Sequence, residues 1–114
     1  MVIGKDETRN DREYSLDRIR ELAKSGCVRY LSTRVQQDIE NLEFSPNDVH
    51  QCLERLEDRH YQKSIKYVDR KHWLDIYHIT CQGQTDNQDN LYIKLKLNRD
   101  CIWIELASFH KEGR

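Results

Sequence analysis

The feature that most restricts how this chain can fold is a change of hydrophobic period near Arg59. Before that point apolar residues recur at helical spacing, and beyond it they alternate. In "YSLDRIRELAKSG", Leu16, Ile19, Leu22 and Ala23 form one stripe, Ser15 is placed to cap the helix and Gly26 to end it. In "STRVQQDIENLEF", Ser32 or Thr33 is the cap and Val35, Ile39 and Leu42 face inward. "SPNDVHQCLERLE" opens a third helix with Ser45, then Pro46 at its first position and Asp48 three after the cap, and its inward residues are Val49, Cys52, Leu53 and Leu56.

Past Arg59 the alternation predicts four strands, near 61–69, 73–82, 91–98 and 101–110, with turns at Asp69 to His72 and Asn98 to Asp100. Leu91, Ile93, Leu95 and Leu97 point one way, and Tyr92, Lys94 and Lys96 the other. A two-residue turn at Arg99-Asp100 sets Leu95 opposite Ile104 and Lys94 opposite Glu105. The expected architecture is α+β, with three N-terminal helices packed on one face of a mostly antiparallel four-stranded sheet. The other face, carrying Tyr92, Lys94, Lys96, Trp103, Trp73 and Tyr77, is left open and is the place to look for function. Residues 1–13, polar and without a period, read as a flexible tail before a single domain over 14–112. The polar stretch "CQGQTDNQDN", 81–90, reads as a long loop suited to partner contact or as a plain hairpin tip.

Composition narrows the function classes. No apolar run approaches the ~20 residues that cross a bilayer, and the N-terminus lacks a signal-peptide core, so a cytoplasmic protein is expected. Cys27, Cys52, Cys81 and Cys101 form no CxxC pair, which predicts free thiols rather than a zinc site. Residues 1–58 carry nine Lys or Arg against thirteen Asp or Glu, while 59–114 carry ten against seven, so a nucleic acid would meet the second half. There is no glycine-rich phosphate loop and no nucleophile elbow. Asp75 and Glu105 lack the accompanying acid-x-Lys unit of a metal-dependent nuclease.

What remains is a sheet face of lysines, tyrosines and a late histidine. Such a set can cleave RNA, whose 2′-hydroxyl supplies the nucleophile, given a base, an acid and cations for the phosphate oxygens. It also occurs on sheets that only bind RNA, so composition leaves catalysis and binding both open.

The segments "YQKS", "WLDIY", "LYIKL" and "SFHKE", following three helices in this order and spacing, resemble the MqsR family of bacterial toxins, similar in fold to the RelE-type ribonucleases. The resemblance runs from about Tyr14 to Glu112. It implies a metal-independent mRNA-cleaving toxin with short preferred sites and no cofactor, held inactive in a complex with its cognate antitoxin. The alternative is a non-catalytic module of the same fold that binds RNA or the antitoxin. Carried onto this chain, the motif lysine is Lys63, preceded by Gln62 in place of the usual tyrosine, and the strand tyrosine is Tyr92. Leu74 stands where the family has a glutamine, and His110 where it has a lysine. Lys63, Tyr92 and His110 are thus the expected catalytic residues, with Lys66, Lys94, Lys111, Trp73 and Tyr77 as RNA contacts. Strict alternation puts His110 on the side of Leu106, so it reaches the open face only if the last strand ends or bulges near Phe109.

Overall fold

The computed structural model describes residues 4–83 and 88–113. The elements in chain order are β1 (Glu7–Arg9), α1 (Leu16–Lys24), β2 (Val28–Tyr30), α2 (Thr33–Asn41), α3 (Pro46–Glu54), a 3-10 turn at Asp58–His60, β3 (Tyr61–Lys66), β4 (Leu74–Gln82), β5 (Gln88–Leu97) and β6 (Ile104–Lys111).

The three helices begin where their caps predict. Ser15, Ser32 and Ser45 accept the backbone N–H of Arg18, Val35 and Asp48, and Asp48 closes a capping box. At the end of α1, Gly26 turns to φ +72°, and the N–H groups of Gly26 and Cys27 reach back to the Ala23 and Leu22 carbonyls. This closure suits glycine because a Cβ is strained in the left-handed region.

The fold class holds, but the sheet is larger than predicted. Among the described residues it has six strands in the order β1-β3-β4-β5-β6-β2, and the helices are interrupted by a strand instead of forming one block. β1, within the stretch expected to be a tail, pairs antiparallel with β3, and β2 pairs parallel with β6. Both are three residues long, too short to carry a period. The predicted loop 81–90 also shortens, because β4 runs to Gln82 and β5 starts at Gln88, the two being paired. Its centre, 84–87, lies outside the described residues.

One face of the sheet shares a core with all three helices, built on Ile19, Val49, Leu53, Leu56, Leu91, Ile93, Leu95, Ile104, Leu106 and Phe109. Each such side chain contributes about 1.5–3 kcal/mol on burial. Tyr77 belongs to this core, fully buried and edge-on to Tyr61 at 5.7 Å between ring centroids. It cannot wall an open site, which corrects its predicted place. All four residues of Leu74–Tyr77 are buried, so alternation along them was uninformative. Cys52 and Cys81, expected as free thiols, form a disulfide joining α3 to β4, with Cα atoms 6.1 Å apart, while Cys27 and Cys101 are free. Their separation of 29 residues gave no pairing signal.

The β5–β6 register differs from the expected one by two positions: Leu95 faces Leu106, and Lys96 faces Glu105. The connection is longer because Asn98 organises it, its side-chain oxygen accepting the N–H groups of Ile102 and Trp103 at 2.8 Å each. A shift of two preserves which side faces the core. The next irregularity does not. Leu95 pairs with Leu106 but Lys94 pairs with Ser108, so Ala107 has no partner and forms a bulge. Beyond it Phe109 turns into the core and His110 turns out, opposite Tyr92.

Candidate active site

The sheet face opposite the core shared with the helices is organised in rows by the strand register. One row is His78, Tyr92 and His110, across β4, β5 and β6. The next, about 7 Å along the strands, is Lys63, Ile76, Lys94 and Ser108, across β3 to β6. The rings of Tyr92 and His110 stack, 5.1 Å apart and 12° from parallel. His78 lies on the other side of Tyr92 at 5.5 Å.

Lys63 is exposed on β3 at the far end of its row, so its ammonium is free to meet a phosphate from that side. Lys94 donates to the Tyr67 hydroxyl at 2.6 Å, with its ammonium 4.9 Å from that ring's centre. Burial, and secondly the neighbouring Tyr67, push the Tyr92 hydroxyl above its ordinary pKa. Tyr92 therefore stays protonated at neutral pH and can donate a hydrogen bond to an anion.

Beyond the Lys94 row lies a small cavity of about 180 Å³. Leu74 and Ala107 line it with Tyr67, Arg70, His72 and Lys96. Leu74 and Ile76 are buried on this face, outside the helix-side core, so Leu74 contributes surface here and no hydrogen bond.

The other predicted contacts lie elsewhere. Lys66 has the opposite parity to Lys63, is ion-paired with Glu7 at 2.9 Å and sits 5.4 Å above the Trp73 ring. Trp73 is also covered by Arg9 at 4.1 Å. Lys111 pairs in register with buried Leu91, on the helix side, and its ammonium lies 3.4 Å from Asp89. The register therefore gathers Lys63, Tyr92, Lys94 and His110 and leaves out Lys66, Lys111, Trp73 and Tyr77.

Of three further residues on or beside this face, Tyr67 and Glu112 carry no site reading in the sequence, and His78 reads there as a surface or edge histidine. Tyr67 follows β3, in a turn without periodicity. His78 lies on a strand with apolar residues on both faces, and Glu112 follows the last strand. The one available signal was the exchange of Tyr92 parity with His78 across β4 and β5, visible only once the register is known.

Half of each aromatic motif serves the fold. Ser64 and Asp75 face each other across β3 and β4, both fully buried, and the Ser64 hydroxyl donates to Asp75 at 2.6 Å while lying 2.6 Å from the Tyr61 hydroxyl. Asp75 also accepts the backbone N–H groups of Glu13 and Tyr14. Lys63 and Leu74, the intervening residues, face the other way.

Residues 12–111 match the family described as "Motility quorum-sensing regulator, toxin of MqsA". The chain belongs to the MqsR toxin family. It is thus a toxin of a toxin–antitoxin system, with an antitoxin of the MqsA kind as partner. No curated protein matches the sequence. Among the described residues no helix is long and apolar enough to cross a membrane. Within this MqsR-family chain, the expected motif residues Lys63, Tyr92 and His110 share one face of the sheet, and His110 is there because of the bulge at Ala107.

Proposed function

We propose that this MqsR-family toxin is a metal-independent endoribonuclease that cuts mRNA in the cytoplasm at short preferred sites. The observation that carries the reading is the bulge at Ala107, which stacks His110 on Tyr92 beside Lys94 on the sheet face opposite the core shared with the helices. His110 takes the proton from a ribose 2′-hydroxyl, and the freed oxygen attacks the adjacent phosphorus. Tyr92 donates to a non-bridging oxygen, while Lys63 and Lys94 offset the charge that builds there. The P–O5′ bond breaks as the 2′,3′-cyclic phosphate closes, and the departing 5′-oxygen takes up a proton.

Site preference is assigned to the cavity over Leu74, one row beyond Lys94. Tyr67 offers a ring for a neighbouring base, Arg70 a cation for its phosphate and His72 a polar edge, while the Lys96 ammonium is paired with Glu105 at 2.6 Å. An apolar floor replaces the family's glutamine there, so the preferred sites of this toxin are expected to differ from those of relatives that keep it.

The test is incubation of purified toxin with RNA in EDTA, followed by end-group mapping. Fragments with 2′,3′-cyclic phosphate and 5′-hydroxyl ends are expected. Fragments ending in 3′-hydroxyl, or cutting that stops with EDTA, overturn the proposal. Binding without cutting would establish the alternative, a module that acts by occupying RNA.

A further inference from the structure

Tyr92 is flanked by two histidines rather than one. His78 and His110 both face it in the register, from β4 and β6. With neighbouring strands about 4.8 Å apart, their backbones stand about 10 Å from each other, and the Tyr92 ring lies 5.5 Å from one imidazole and 5.1 Å from the other.

Both rings are anchored through the same nitrogen. His78 Nδ1 donates to Glu112 Oε1 at 2.6 Å, and His110 Nδ1 donates to the Lys111 carbonyl at 2.8 Å. Carboxylate and carbonyl oxygens can only accept, so each neutral ring carries its proton on Nδ1 and presents Nε2 to a substrate. The two anchors differ in charge. His78 is held by a carboxylate oxygen and His110 by a neutral backbone carbonyl.

A separate feature adjoins His78. A polar recess of about 250 Å³ opens there, lined by His78 and Glu112 together with Arg59, His60 and Thr80. Arg59 is exposed and steadied by Glu57 at 2.8 Å, within the same recess as His78. A nucleotide following the scissile phosphate would rest in it, with Arg59 as its cation.

We propose that His78 is the second proton-transfer residue of the cleavage reaction, the general acid opposite His110 as general base, with Glu112 as its positioning residue. This rests on the ribonuclease reading above. As the 2′-oxygen gives its proton to His110 Nε2 and bonds to phosphorus, the P–O5′ bond breaks and the leaving oxygen takes the proton from His78 Nε2. The reaction leaves His110 protonated and His78 neutral, and exchange with water restores both.

The decisive probe is an RNA whose leaving 5′-oxygen, at a site the parent cuts, is replaced by sulfur. A thiolate departs without a proton, so it needs no acid. His78→Ala is expected to slow cleavage of the oxygen substrate about 10²-fold or more and to cut the sulfur substrate within about fivefold of the parent. His110→Ala should stay slow on both. His78→Gln, which keeps the ring's bulk and polarity, should behave as His78→Ala does and guards against a folding artefact. Equal slowing of the His78 variants on both substrates, or none on the oxygen substrate, overturns the proposal while leaving the ribonuclease reading standing. A parent that cuts neither substrate overturns that reading and the proposal with it.

Discussion

Replacing His110 with alanine is expected to slow RNA cleavage about 10²–10⁴-fold, the usual contribution of a positioned acid or base. The fold should tolerate the change. His110 is partly exposed at the end of β6, its ring stacked on Tyr92 with one side-chain hydrogen bond to the neighbouring carbonyl, so little packing is lost. The variant's melting temperature should therefore stay within about 3 °C of the parent's, consistent with a substitution away from the core. His110→Lys restores the residue usual in the family and is expected to recover only part of the rate, because only the small neutral fraction of the amine can take the 2′-hydroxyl proton. If His110→Ala cuts as fast as the parent, the bulge at Ala107 has no catalytic purpose and the residue roles assigned here are wrong.

Replacing Asp75 with alanine is expected to act on stability, by about 3–5 kcal/mol. The carboxylate is fully buried and receives the Ser64 hydroxyl and the N–H groups of Glu13 and Tyr14. Its removal takes the acceptor from the part-buried N–H groups of Glu13 and Tyr14 and leaves the Ser64 hydroxyl to the Asp11 carbonyl at 3.2 Å, which loosens the segment leading into α1 from the sheet. In a chain of this length the loss corresponds to a fall in melting temperature of roughly 10–20 °C, measured by circular dichroism. Lys63→Ala, one position from Ser64 but exposed on the opposite face, should leave the melt unchanged. A shift under about 1 kcal/mol for Asp75→Ala would show that Ser64 and the backbone donors find other partners, and that the clasp is not what holds the N-terminal segment.

These two expectations explain why the motifs misled in part. "YQKS" and "WLDIY" read as one functional signature, yet Tyr61, Ser64, Asp75 and Tyr77 point to the helix side and hold the sheet together, leaving Lys63 to the open face. The caps and stripes of the helices were legible because capping and 3.6-residue periodicity are local. β1 and β2 were not, since three residues of strand acquire meaning only from the partner strand they join. The parity of Tyr92 and Lys94 was legible from clean alternation in "LYIKLKL". The place of His110 was not, because a single unpaired residue, Ala107, reverses every side chain after it and has no sequence mark. His78 was passed over for a related reason: its neighbours Tyr77 and Ile79 are both buried, and only the register with Tyr92 and the Glu112 contact set it apart.

The central claim is that this face cuts RNA by activating the RNA's own 2′-hydroxyl. It is tested most directly with a substrate carrying a single 2′-deoxy residue on the 5′ side of a mapped cut site, all other residues being ribose, incubated with the toxin in EDTA. The all-ribose strand should be cut to a 2′,3′-cyclic phosphate, with no cutting at the deoxy position. Cutting at the deoxy position at a comparable rate would contradict it, since the nucleophile would then have to come from water or from the protein.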